Sequence, residues 1–88
     1  MATPYTKDFT GTAAYVALSS SYLGFQGSLG ALPTNGSNLY VRIGSDAATE
    51  LQLVPGEFWP LANCNIANIQ IKGNGLVLRA VGVTAEGW

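Results

Sequence analysis

Five carboxylates and one thiol are the first candidates for acid–base or nucleophilic chemistry in this 88-residue chain, which has no imidazole. The carboxylates are Asp8, Asp46, Glu50, Glu57 and Glu86, and the thiol is Cys64. Two carboxylates flanking a cleft can cleave a glycosidic bond, one as acid and the other as base or nucleophile. Asp46 and Glu50 could approach each other across a turn, but 88 residues rarely build such a cleft, and the pair reads better as solvated charges at strand ends. Without histidine there is no Ser-His or Cys-His dyad and no imidazole metal ligand. Cys64 lacks an activating base and reads as a small buried hydrophobe. Gly24, Gly27 and Gly30 recur every three residues, yet no Lys-Ser/Thr follows and no helix starts there, so they form no phosphate loop. The expectation is a protein that is not an enzyme and that holds no cofactor or metal.

The same scarcity marks the surface. Only nine side chains carry a formal charge, where an ordinary domain of this length would carry about 22. A folded 9.2 kDa monomer exposes about 4,900 Å², which leaves one charge per roughly 550 Å². Something other than water is expected to cover part of that area. Four cations and a net charge of −1 speak against nucleic acid, which needs several clustered cations, and against anionic membrane surfaces. No apolar run approaches the 18 or so residues of a membrane span. A lone cysteine and an N-terminus without the basic and apolar runs of a signal peptide point to synthesis in a reducing cytoplasm.

The elements that must position these residues are strands. No segment has a capped 3.6-residue apolar period, and strand signals recur about every 10 residues, which predicts an all-β fold: a small antiparallel β-sandwich or barrel, jelly-roll-like, of six to eight short strands. Residues 1–11 read as an extended N-terminal arm and residues 12–88 as a single β-domain. Residues 12–18 suggest a first strand. Residues 19–38 are dense in Gly, Ser, Pro and Asn-Gly, which predicts a long loop holding at most a short irregular strand. In residues 39–44, Leu39, Val41 and Ile43 alternate with Tyr40 and Arg42, a half-buried strand. Residues 50–54 form another, with Leu51 and Leu53 inward. Pro55-Gly56 turns a corner, and Pro60 makes residues 57–61 an edge strand or a bulge. Asn74-Gly75 is the preferred type I′ hairpin pair, which would oppose Lys72 to Val77 and Ile69 to Ala80. One face of that hairpin collects Ile69, Ile71, Leu76, Leu78 and Ala80. The other mixes Val77, Val81 and Val83 with Lys72 and Arg79.

Candidate contact residues follow from this placement. Tyr5 and Phe9 are the large apolar groups of the arm, available to a neighbouring chain. Tyr22, Phe25 and Leu29 sit in the long uncharged loop. Phe58 and Trp59 are adjacent, so one faces the core and the other faces out; Trp59 is taken as the outward one. Val77 and Val81 lie on the mixed face, and Trp88 ends the chain. Exposed rings at Trp59, Tyr40 or Phe25 would also serve a carbohydrate-binding module, the alternative from a different class.

The order Leu39-Tyr40-Val41-Arg42-Ile43-Gly44, then Leu53-Val54-Pro55-Gly56-Glu57, then Asn65-Ile66-Ala67-Asn68-Ile69-Gln70-Ile71, a Gly-Asn-Gly turn and a valine-rich last strand resembles a small β-module of tailed-bacteriophage virion proteins. The resemblance covers about half of the chain and is closest to the capsid decoration (cement) proteins. It implies a structural protein made in the host cytoplasm and carried on the capsid surface of the virion. Its partner would be the major capsid protein or another virion protein, and the chain itself would form a homo-oligomer, with a trimer favoured. It also leaves open a head-fibre or tail-associated component.

Overall fold

The computed structural model describes residues 3–43 and 50–85, which form eight strands in two antiparallel sheets. The strands are β1 (Thr3–Thr10), β2 (Val16–Ala17), β3 (Gly24–Ala31), β4 (Leu39–Ile43), β5 (Leu51–Leu53), β6 (Phe58–Asn65), β7 (Ile69–Lys72) and β8 (Val77–Thr84), with one 3₁₀ turn at Ile66–Asn68. The first sheet has the order β1-β8-β3-β6 and the second β2-β7-β4-β5. Each strand therefore pairs as in one long hairpin: β1 with β8, β2 with β7, β3 with β6, β4 with β5. Rolling that hairpin up adds the β3–β8 and β4–β7 pairings. This is the jelly-roll arrangement of a two-sheet sandwich. Its accessible area is 4871 Å², close to the ~4,900 Å² expected of a monomer of this mass.

Alternation selects the core. Phe25, Leu29 and Ala31 of β3 and Leu78 and Ala80 of β8 face Leu39 and Val41 of β4, Leu53 of β5, and Ile69 and Ile71 of β7; all are buried, together with Leu18 and Ile66. Each large side chain fully withdrawn from water stabilises the fold by about 1.5–3 kcal/mol. Ile43 and Leu51, expected inward, remain 39% and 37% exposed. They are the last residue of β4 and the first of β5, where fewer neighbours cover them.

Four further expectations fail. The arm is not free: residues 3–10 are β1, in register with β8 from Thr3↔Thr84 to Thr10↔Val77. Its alternation is hidden because Lys7 falls at the inward parity between Tyr5 and Phe9, opposite buried Ala80. An inward-pointing charge is a known device for discouraging edge-to-edge pairing, and here the Lys7 ammonium rests 5.0 Å from the Phe9 ring centroid. The segment 12–18 yields only the two-residue β2.

The supposed loop 19–38 contains β3, which lies between β8 and β6 in the first sheet. Its glycines serve packing rather than turns. Gly27 opposes Gly82 next to a bulge between Phe25 and Gly27, and a Cβ on Gly82 would lie 2.1 Å from the Gln26 carbonyl oxygen and 2.7 Å from the Gly27 Cα. With no side chain on Gly82, Tyr5 reaches across β8 to meet the Phe25 ring edge-on at 5.9 Å.

Nor do β7 and β8 pair as a hairpin, since β7 bonds β2 and β4 while β8 bonds β1 and β3. A type I′ turn needs positive φ at both central residues. Here Gly75 has φ 77°, but Asn74 is not among the positive-φ residues, and Leu76 N–H donates to the Gly73 carbonyl at 3.0 Å. That pattern is a type II turn, which splays strands, so the chain crosses from one sheet to the other. The core-facing set from Ile69 to Ala80 is still as expected, apart from half-buried Leu76, because alternation is the same whether two strands pair or face each other across the sandwich.

Pro60 lies, as expected, on an edge strand. Ala31 N–H bonds the Glu57 carbonyl and Gly11 N–H bonds the Leu76 carbonyl. Hydrogen-bonded positions alternate along an antiparallel ladder, so the backbone nitrogens of Pro60 in β6 and Pro4 in β1 both point off the sheet. Each outer edge of the first sheet thus carries a proline where an added strand would need a donor. Side chains close the remaining gaps. Asn35 both donates to and accepts from the backbone of Val77, at 2.9 and 3.0 Å, and the Asn65 side-chain Oδ1 accepts from Leu23 and Ala67 N–H.

Candidate interaction surfaces

Two outward sheet faces result, and they differ in chemistry. On the first sheet the register aligns three cross-strand rows: Pro4–Val83–Gln26, Thr6–Val81–Ser28–Pro60, and Asp8–Arg79–Gly30–Phe58. Val81 and Phe58 are each 44% exposed. The Phe58 ring lies over Gly30, where a Cβ would meet it at 2.1 Å; an aromatic covering a cross-strand glycine holds sheet register. The charges in these rows, Asp8 and Arg79, cancel through two hydrogen bonds of 2.8 and 3.0 Å. Hydrogen bonding from Arg79 holds the Asp8 carboxyl below its ordinary range, and Asp8 raises the guanidinium in turn. The face is therefore apolar and hydroxylated, with no net charge. Strand spacing makes it about 15 by 20 Å, on the order of 300 Å².

The outer face of the second sheet is polar and aromatic. Tyr40 of β4 stands between Lys72 of β7 and Gln52 of β5, and Arg42 stands beside Gln70. Tyr15, just before β2, lies against this face with the Arg42 guanidinium carbon 3.7 Å from its ring centroid and the Lys72 ammonium 5.0 Å away. Its hydroxyl donates to the Glu50 carboxylate, which also pairs with Lys72 at 3.4 Å. Arg42 donates to Gln70 at 2.9 Å and Asn38 to Gln52 at 3.0 Å. These contacts fasten the short edge strand β2, whose own ladder covers only two residues.

Burial, and then the hydrogen bond to Glu50, push the Tyr15 phenol up to about 12, so it stays a donor at neutral pH. The same hydrogen bond, followed by Lys72, holds Glu50 below the usual carboxylate range. A carboxyl with a depressed folded-state pKa adds stability that is fully present above its unfolded pKa and is lost as pH falls through the folded value. Glu50→Gln should therefore melt below the wild type at neutral pH. The gap should narrow on acidification below about pH 4, where the unfolded carboxyl protonates. Thermal melts of both proteins across pH check this, and a gap constant with pH would contradict it.

The anticipated contact residues divide. Val81 and half-buried Val77 lie on the outer face of the first sheet, and Tyr22, 56% exposed, lies in the connection before β3. Phe25 and Leu29 do not qualify: they are 0% and 2% exposed, inside the core, because the segment expected as a loop is a strand. Tyr5, Phe9 and Trp59 are partly buried and pack inward on that core. Trp88 lies outside the described residues. Sequence reading missed Phe58 as the outward ring. The signal was Leu61, whose inward parity, two residues on, fixes Trp59 as inward. It also missed Tyr15, whose partners are distant in the chain. Cys64 faces inward, half-buried, with its thiol pushed up by burial. No family model matches the chain, and neither does a curated protein or a solved structure.

Proposed function

We propose that this chain is a non-enzymatic virion structural protein: a decoration, or cement, protein that binds the major capsid protein of a tailed bacteriophage and stabilises its lattice. It would be made in the host cytoplasm and carried on the capsid surface. The observation that carries the reading is the outer face of the first sheet, a surface around Val81 and Phe58 whose two charges neutralise each other. Burying such a face on a neighbouring protein leaves no charge unpaired, so it avoids the largest desolvation cost of association.

Its size sets the mode of binding. A face on the order of 300 Å² is well under the ~800 Å² per partner of a stable interface. A single copy would hold weakly, and linked copies on a repeating lattice would gain by effective concentration. The proposal accordingly includes a homo-oligomer, with a trimer favoured. Strand addition at the edges of the first sheet is disfavoured, because Pro4 and Pro60 each remove one of the outward donors it would use.

The test is reconstitution. Purified protein is added to empty shells of the major capsid protein encoded in the same genome. Saturable co-sedimentation, with a raised melting temperature of the shells, is the expected result. Protein left in the supernatant at every concentration, with shell stability unchanged, would refute the assignment.

A further inference from the structure

We infer that the outer face of the second sheet is a binding site for a neutral oligosaccharide, with Tyr40 as its stacking platform. This site is separate from the proposed capsid contact and does not depend on it: the two faces lie on opposite sides of the sandwich.

The register builds a grid of side chains on this face. Tyr40 lies half-buried on β4, flanked by Lys72 on one neighbouring strand and Gln52 on the other. Arg42 follows two residues on, on the same face, beside Gln70. Neighbouring strands are about 4.8 Å apart and alternate residues about 6.6 Å apart. An aromatic ring thus sits one strand spacing or one alternate-residue step from amide, ammonium and guanidinium groups, within the span of a single pyranose and its rim of hydroxyls. A pyranose presents an apolar C–H face and a rim of hydroxyls that both donate and accept. The ring takes the first; the side-chain amides, which have both functions, take the second.

Preorganisation strengthens the case. The Lys72 ammonium is held 5.3 Å from the Tyr40 ring centroid and tied to Glu50, Gln52 is held by Asn38, and Gln70 by Arg42. Fixing these side chains in advance lowers the ordering cost of binding.

Charge decides the ligand class. Among the described residues the cluster holds two cations, Arg42 over the Tyr15 ring and Lys72 paired with the carboxylate of Glu50. A polyanion needs several clustered cations, and the Glu50 carboxylate would repel it. A protein partner would want a buried aromatic or aliphatic anchor, whereas this face offers half-buried Tyr40 amid polar groups. A neutral, hydroxyl-rich ligand fits best.

The test uses the intact protein on an array of neutral glucan, galactan, mannan and N-acetylhexosamine oligosaccharides, with sulfated and phosphorylated counterparts. Backbone amide shifts are followed by nuclear magnetic resonance for the best binder. The expected result is millimolar or tighter binding to a neutral oligosaccharide, with shifts centred on residues 40, 42, 52 and 72. Tyr40→Ala should weaken it at least tenfold, Tyr40→Phe should stay within about threefold, and Val81→Arg should leave it unchanged. If Tyr40→Ala does not fold, exposed Gln52→Ala should still lose threefold or more. Absence of binding to every neutral probe, affinity unaffected by Tyr40→Ala and Gln52→Ala, or binding confined to the charged probes and abolished by salt would each overturn the inference.

Discussion

Deleting residues 1–10 should unfold the protein, and its loss from any complex would be secondary. The segment is β1, hydrogen-bonded along β8 over eight residues. Tyr5 and Phe9 pack from it onto the core. Fully buried, such side chains contribute about 1.5–3 kcal/mol each; half-buried, the two together give about 1.5–3 kcal/mol. Their removal also uncovers Leu78, Ala80 and Phe25, which are 0% exposed in the intact sandwich, and strips β8 of one of its two ladders. An 88-residue domain has a total stability of about 4–13 kcal/mol. A deletion costing most of that margin should give a chain without cooperative melting or dispersed amide resonances. A soluble, cooperatively folded 11–88 fragment would show instead that β1 is a detachable arm, able to pair elsewhere.

Gly82→Val is the point substitution with the largest expected effect. The new Cβ would lie 2.1 Å from the Gln26 carbonyl oxygen and 2.7 Å from the Gly27 Cα, and these are backbone atoms that no rotamer change can move aside. Overpacking normally costs about 1–3 kcal/mol when side chains can yield; here two strands of the first sheet must part, so about 3 kcal/mol is expected. That corresponds to a fall of roughly 12–24 °C in melting temperature for a domain of this size. Gly36 is the control, because nothing lies within 4 Å of a Cβ built there and its φ is not positive. Gly36→Ala should change stability by less than about 0.5 kcal/mol. Urea midpoints for the two variants check this. Equal midpoints would mean that Gly27 and Gly82 do not oppose each other in the folded protein.

The contrast between Gly82 and Asn74-Gly75 indicates how far a single sequence can be read. Alternation is local, so the inward set Leu39, Val41, Leu53, Ile69, Ile71, Leu78 and Ala80 is legible in the residue order alone, and the β-sandwich class with it. Which strand pairs with which is not local. Asn-Gly between two alternating runs predicts a hairpin, but turn type depends on the sign of one dihedral at Asn74, and the two runs enter different sheets. Glycines in β3 look like punctuation because their purpose, close approach to Val81, Gly82 and Phe58, depends on residues about 30 to 55 positions away. Lys7 conceals β1 because an inward charge on an edge strand breaks the pattern that identifies strands. The outer face around Val77, Val81 and Val83 is visible in the sequence as a mixed, incompletely covered surface. The Tyr15–Glu50–Lys72 cluster is not, since its members are brought together only by the rolling of the sheet.

The two faces make opposite predictions in one assay, and that assay bears most directly on the proposed function. Val81→Arg and Tyr40→Ala are prepared beside the wild type, each is confirmed folded by its thermal melt, and all three are co-sedimented with empty capsid shells. An unpaired charge at the centre of the first sheet's outer face should abolish co-sedimentation, while Tyr40→Ala should bind as the wild type does. If folded Val81→Arg decorates the shells at wild-type occupancy, the outer face of the first sheet is not the lattice contact and the central claim fails.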